Sequence, residues 1–234
     1  YYGTMKSWME YVERYMPDGL LERWPDTPYR SWFLGDWLAP KGVDVTDSAS
    51  VALITNCVVS QCYDAMSKVA SVLGRKEESS AYRERKISLN ERIHETFYHP
   101  EERIYASGSQ LDMAYPMLVG VVPADLYGQI ADNLKKRTEL LGNGHIGAGL
   151  VGVAVLTDWA IRNREADFMY RMLKQQDYPG YLYMLNHGAT TTWESWDGER
   201  SRVHNCYNGI GNWFYQAIGG IWTDERVPGY KHVF

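Results

Sequence analysis

The feature that most constrains this chain is an alternation along its length: helix-period segments rich in charge are followed, again and again, by helix-period segments with almost none. Met5, Trp8, Met9, Val12 and Tyr15 recur at helical spacing, and Pro17-Asp18-Gly19 stops that helix with turn chemistry. After a Trp- and Pro-rich stretch from about Leu20 to Val45, Asp47 is placed to cap a helix carrying Val51, Ile54, Val58, Cys62, Met66, Val69 and Leu73, which Gly74 ends. A charged helix is predicted over Lys76 to Tyr98 and a nearly uncharged one over Gln110 to Val119. The pattern repeats with Lys-rich Ala124 to Leu141 and apolar Ala148 to Ile161, then with charged Glu165 to Gln176 and the Gly- and aromatic-rich Asn205 to Ile221.

Four such pairs without a convincing strand-period segment predict an all-α chain built as an α/α toroid, with uncharged helices inside and charged helices outside. In that architecture every loop leading from an outer to an inner helix opens on one face. Those loops hold Gly35-Asp36-Trp37-Leu38-Ala39-Pro40, Ser107-Gly108-Ser109-Gln110, Gly142 to Gly147 around His145, and Gly188 to Asp197. The opposite loops, Gly74-Arg75-Lys76 and Arg162-Asn163-Arg164, are short and merely polar, so function is expected on the first face.

Composition excludes other classes. Across 234 residues the net charge is −5 with interspersed signs, which leaves no basic footprint for nucleic acid. No apolar run reaches the roughly 18 residues of a membrane span, and mean hydropathy is −0.41. The three cysteines lack metal or disulfide spacing, and no metal or cofactor is expected. His94 and His99 fall at a charged helix end and a turn, and read as solvated. Nine Trp and 18 Tyr against five Phe suit either a Tyr-rich core or a cleft that stacks on sugars. The compartment stays undecided among periplasmic, secreted and cytoplasmic.

Glu194 lies between Trp193 and Trp196, beside three threonines and followed by Asp197. A walled carboxylate of this kind suits glycosidic hydrolysis, in which one carboxyl activates water and another protonates the leaving oxygen. The plainer reading is a Glu accepting bonds from a helix N-terminus or from an Arg such as Arg200 or Arg202.

The run Gly188-Ala189-Thr190-Thr191-Thr192-Trp193-Glu194-Ser195-Trp196-Asp197-Gly198 closely resembles the sequence around the catalytic base of glycoside hydrolase family 78, the inverting bacterial α-L-rhamnosidases. The likeness extends through Gln110, Gly120-Val121-Val122-Pro123, Gly144 to Gly149, Tyr178-Pro179-Gly180-Tyr181 and Ser201-Arg202-Val203-His204 to Trp213. It implies an (α/α)6 barrel of which residues 1–222 supply four of six helical hairpins, with residues 223–234 as a linker toward a C-terminal β-sandwich. It also implies Glu194 as general base, and His204 and Trp37 as sugar contacts. Trp193, Trp196, Asp36 and His145 are further candidate sugar contacts on the same rim.

The connection from Glu194 to His204 is shorter than in many members, and the family's acidic, Arg-containing general-acid motif is not in this sequence. That acid is expected in the remainder of the same polypeptide, which would also cover the flanks of the first and last helices. Asp36 is the one substitute the chain offers, against the ordinary reading of a loop-capping Asp. Hydrolysis of terminal α-L-rhamnose from plant glycans or glycosides is therefore the leading expectation. The alternatives are a non-hydrolytic sugar-binding or structural remnant, a hydrolase of another sugar, and an epimerase using His145 and His204.

Overall fold

The computed structural model describes residues 1–23, 33–224, 227 and 229–234. The Trp- and Pro-rich stretch lies partly outside them, as do Glu225, Arg226 and Pro228 of the tail. The elements in chain order are α1 (Tyr2–Glu13), α2 (Ser48–Val72), α3 (Lys76–Phe97), β1 (Tyr98–His99), β2 (Ile104–Tyr105), α4 (Gln110–Val119), α5 (Ala124–Leu141), α6 (Leu150–Arg162), α7 (Ala166–Leu173) and α8 (Tyr181–Asn186). A 3₁₀ turn (Asn208–Ile210) and a π-helix (Trp213–Ile218) follow.

The inner elements are the uncharged ones. Helix α4 is buried at nearly every position and packs against α2 and α6, and α6 packs in turn on the 3₁₀ turn and the π-helix. Outer α3 keeps a narrow apolar side, Tyr82, Leu89, Ile93 and Phe97, and turns its charge outward. The chain is thus an arc of an α/α toroid, in agreement with the charge alternation.

The caps show why the helices start where they do. Asp47 accepts from the Ser50 amide at 2.7 Å, and Ser109 from the Asp112 amide at 3.1 Å, each satisfying a donor that the first helical turn leaves unpaired. Gly120 ends α4 in the left-handed conformation with φ of 80°.

Several elements differ from the expectation. A two-residue-per-strand hairpin pairs Tyr98 with Tyr105 and His99 with Ile104, and the short α8 falls in a stretch for which the sequence pattern predicted no helix. His94 is half-buried rather than solvated, with Nδ1 2.7 Å from the Tyr105 hydroxyl and its ring stacked on Tyr98. In the tail, Trp222 and Phe234 exchange two backbone hydrogen bonds, and Thr223 bridges Val233. At the two flanks of the arc, Trp8 and Tyr11 on α1 and Phe214, Tyr215 and Ile218 on the π-helix are exposed.

Candidate active site

The outer-to-inner loops meet on one rim and are tied to one another. Helix α6 has no cap from its own neighbourhood, and Asp36 supplies one from 113 residues away: its carboxylate accepts from the amides of Gly149 at 2.7 Å and Gly152 at 2.8 Å. Leu150 N–H donates to the Trp37 carbonyl at 2.8 Å. Gly149 permits this docking, since a Cβ there would stand 2.6 Å from the Ala39 nitrogen and 2.7 Å from the Asp36 carbonyl. Burial pushes the Asp36 carboxyl up to about 6, against the pull of the Gly149 and Gly152 amides.

Asp36 is therefore a buried clasp and not a sugar contact: it is 5% exposed, and both its oxygens are committed to backbone donors. The same commitment removes it as a substitute general acid. The raised pKa makes a prediction whose sign follows from linkage. A carboxyl whose folded pKa lies above its unfolded value favours folding fully below the unfolded pKa, and that contribution is lost as pH rises through the folded pKa. Relative to Asp36→Asn, the wild type is expected to lose stability between about pH 4 and pH 6, read as the difference of two urea-denaturation series. A difference that stays flat with pH would mean that Asp36 titrates normally.

Glu194 occupies one side of a short hairpin-like loop. Its amide donates to the Ser201 carbonyl at 2.8 Å, and the Ser201 amide faces Glu194 Oε2 at 3.3 Å. The other end of the loop is closed by the His204 amide donating to the Thr192 carbonyl at 2.9 Å, so Glu194 and His204 stand on opposite strands of one turn. The Thr192 hydroxyl engages the His204 carbonyl and Asn208 Oδ1 rather than the Glu194 carboxylate. His204 is half-buried, and its Nδ1 is buried with no hydrogen-bond partner.

Arg200, not Arg202, pairs with Glu194, at 3.5 Å from Oε1, and the same guanidinium lies 5.4 Å from the centre of the Trp37 ring. Trp37 is 37% exposed. Glu194, Arg200 and Trp37 thus form a stack open to solvent on the predicted face.

The two flanking tryptophans do not wall this site. Trp193 and Trp196 are 2% and 1% exposed. Trp193 is closed by the Arg202 guanidinium 5.1 Å from its ring centre and by Gly198, where a Cβ would come within 2.7 Å of the ring. Trp196 stacks on Tyr207 at 4.0 Å and donates its Nε1–H to the Ala148 carbonyl at 2.8 Å. Both are core residues beneath the loop and correct the expectation of sugar-stacking walls.

His145 is likewise engaged: Nε2 lies 2.8 Å from Asp177, and Nδ1 lies 3.2 Å and 3.1 Å from the carbonyls of Gly142 and Asn143. It locks its own loop to the chain after α7, and its bond holds the Asp177 carboxyl below the usual range.

Two residues central to the site were not singled out from the sequence. The Tyr207 hydroxyl lies 2.9 Å from the Leu38 carbonyl and 3.3 Å from that of Glu194, joining the Trp37 loop to the Glu194 loop from below. Lys41 joins them from above, bridging Asp197 at 3.0 Å and Glu199 at 3.1 Å. Burial raises the Asp197 carboxyl, but bonds from Ser195, the Glu199 amide and Lys41 outweigh it and hold the pKa low. The available signal for Lys41 was a base directly after Gly35 to Pro40, opposite the acidic Asp197-Gly198-Glu199.

Among the described residues, no group of three or more His, Cys, Asp and Glu is arranged to hold a metal ion, and no helix is long and apolar enough to cross a membrane.

Residues 1–218 match the family model described as the bacterial alpha-L-rhamnosidase 6 hairpin glycosidase domain. The chain belongs to this family. It is 26% identical to an alpha-L-rhamnosidase of Alteromonas sp. (strain LOR) over 98% of the chain and 26% of that protein, and 26% identical to one of Formosa agariphila over 98% and 25%. The chain thus spans about a quarter of the length of these curated relatives. Among solved structures, the alpha-L-rhamnosidase of Aspergillus terreus superposes with a TM-score of 0.86 at 25% identity, covering 99% of this chain and 28% of that one. A Streptomyces avermitilis alpha-L-rhamnosidase complexed with L-rhamnose superposes at 0.81 with 22% identity, over 95% of this chain and 21% of that one, which supports the fold. The family's six-hairpin architecture fits an arc of four hairpins as part of a closed toroid.

Proposed function

We propose that the polypeptide carrying this chain hydrolyses terminal α-L-rhamnosyl bonds of plant glycans or glycosides with inversion, and that Glu194 is its general base. The observation that carries the reading is the contrast among carboxylates on the rim. Asp36 is spent on two backbone amides, and Asp197 on Ser195, Glu199 and Lys41. Glu194 remains partly exposed, with a long 3.5 Å contact to Arg200 as its one ion pair among the described residues.

In this reading Glu194 takes a proton from water as the water oxygen attacks the anomeric carbon, on the face opposite the leaving group. The departing glycosidic oxygen receives its proton from a carboxylic acid carried N-terminal to these residues. Trp37 offers an exposed ring face to the sugar once Arg200 swings aside, and half-buried His204 stands across the same turn from Glu194. The L-rhamnose complex of the Streptomyces avermitilis relative supports that choice of sugar.

The test is release of nitrophenol from nitrophenyl α-L-rhamnoside against the matching glucoside, with the first-formed sugar anomer followed by proton NMR. Rhamnoside turnover giving the inverted β-anomer first is expected. Turnover of the glucoside alone would discard the sugar assignment, the α-anomer first would discard inversion, and rhamnose binding without turnover would favour a sugar-binding remnant.

A further inference from the structure

A cleft of about 370 Å³ lies between the segment 42–44, the loop 107–110 and the end of α5 with its following loop, and Glu194 is not part of its lining. Its floor is rigid. Gln110 is buried with both ends of its amide committed: Nε2 donates to the His145 carbonyl at 2.9 Å and to Thr138 at 3.1 Å, and Oε1 accepts from the Gly147 amide at 2.8 Å.

Two charged side chains line it, Arg137 and Asp44. Arg137 is half-buried and fixed in pose, because its Nε–H donates to the Gly108 carbonyl at 3.2 Å while the guanidinium fills the space a Cβ on Gly108 would need, 2.8 Å from Nη2. Among the described residues no carboxylate pairs with it, so its outer N–H groups face the cleft as unspent donors. Asp44 accepts from the amide and hydroxyl of Thr46, bonds that hold its carboxyl below the usual range and keep it an anionic acceptor. Leu141, largely exposed, and Val43 add an apolar wall.

A fixed donor, a fixed acceptor and an apolar wall in one cleft complement a pyranose ring, whose hydroxyls both donate and accept and whose C–H face is apolar. A carboxylated or phosphorylated ligand would gain Arg137 but meet Asp44. The cleft and the candidate active site share one chain segment: Trp37 stands under Arg200, Lys41 is tied to Asp197 and Glu199, and Asp44 lines the cleft. Seven residues separate Trp37 from Asp44, a reach of at most about 25 Å for extended chain.

We infer that this cleft is a second carbohydrate site that binds a neutral hexopyranosyl residue of the same glycan whose terminal sugar is presented to Glu194. Its link to turnover rests on the rhamnosidase reading above; its binding chemistry does not. Arg137 and Asp44 hold the body of the substrate, and Glu194 acts on its end.

The experiment follows the Arg137 Nε–H NMR resonance of the protein on titration with cellobiose, with digalacturonate and with inorganic phosphate, and compares wild type with Arg137→Ala, Asp44→Asn and Glu194→Gln. Cellobiose is expected to give a saturable shift. Loss of a charged partner weakens that binding by about tenfold or more in Asp44→Asn, and by a similar factor in Arg137→Ala when followed by calorimetry, whereas Glu194→Gln leaves it unchanged. In kinetics, Arg137→Ala and Asp44→Asn raise KM for a rhamnosyl-glucose oligosaccharide about tenfold and leave KM for nitrophenyl rhamnoside unchanged.

The inference is overturned by no saturable shift with cellobiose, by tighter binding of digalacturonate or phosphate than of cellobiose, or by variants that move both KM values equally. If the wild type turns over no rhamnoside, the reading of Glu194 fails while the titration still decides the cleft.

Discussion

Glu194→Gln is expected to lower kcat on nitrophenyl α-L-rhamnoside by about 10²–10⁴-fold, the range a positioned general base contributes, with little change in KM. The substitution keeps the side chain's size and its neighbours, so the loop closed by the Glu194–Ser201 and His204–Thr192 bonds persists, and the thermal midpoint should stay near that of wild type. What is lost is the ability to accept water's proton in the transition state, which appears in kcat rather than in ground-state binding. Asp197→Asn provides the internal comparison. Asp197 is held by Ser195, the Glu199 amide and Lys41, so its loss loosens the loop and acts on Glu194 only at second hand. A Glu194→Gln enzyme retaining wild-type kcat would remove Glu194 from the chemistry.

The toroid was legible in the sequence because it leaves a local signature. Charge alternation at helical period is a property of contiguous residues, and it placed α2 through α6 with their ends within a residue or two of the observed ones. The elements that escaped are short. The hairpin β1–β2 has two residues per strand and α8 has six, too few to show a period, and their existence depends on what they pack against.

Side-chain roles on the rim were less legible, because they are set by partners far away in sequence. Nothing adjacent to Asp36 reveals that Gly149 and Gly152 use its carboxylate, and nothing adjacent to Trp196 reveals that its indole N–H is spoken for by Ala148. Glu194 between two tryptophans reads equally as a carboxylate with aromatic walls or as a carboxylate above an aromatic floor. Burial decides for the floor, and the exposed aromatic face comes instead from Trp37, more than 150 residues upstream in the chain.

That floor is where the largest loss of stability is expected. Trp196→Ala removes a fully buried indole stacked on Tyr207 at 4.0 Å and set edge-on to Tyr181 at 5.2 Å. Deleting an aromatic side chain of this burial costs about 3–5 kcal/mol, and the Ala148 carbonyl loses its N–H donor as well. Trp196→Phe retains most of the ring area while removing the hydrogen bond, and should cost about 1–2 kcal/mol; urea denaturation of the two variants at one pH separates packing from hydrogen bonding. The alanine variant should also lose kcat beyond what reduced folding explains. Tyr207 is positioned by the indole, and its hydroxyl reaches the carbonyls of both Leu38 and Glu194, so a cavity beneath it uncouples the Trp37 loop from the Glu194 loop. Equal costs for Ala and Phe would show that the indole N–H, and not the stack, holds the rim; full kcat in a folded Trp196→Ala would show that the two loops keep their alignment without the indole.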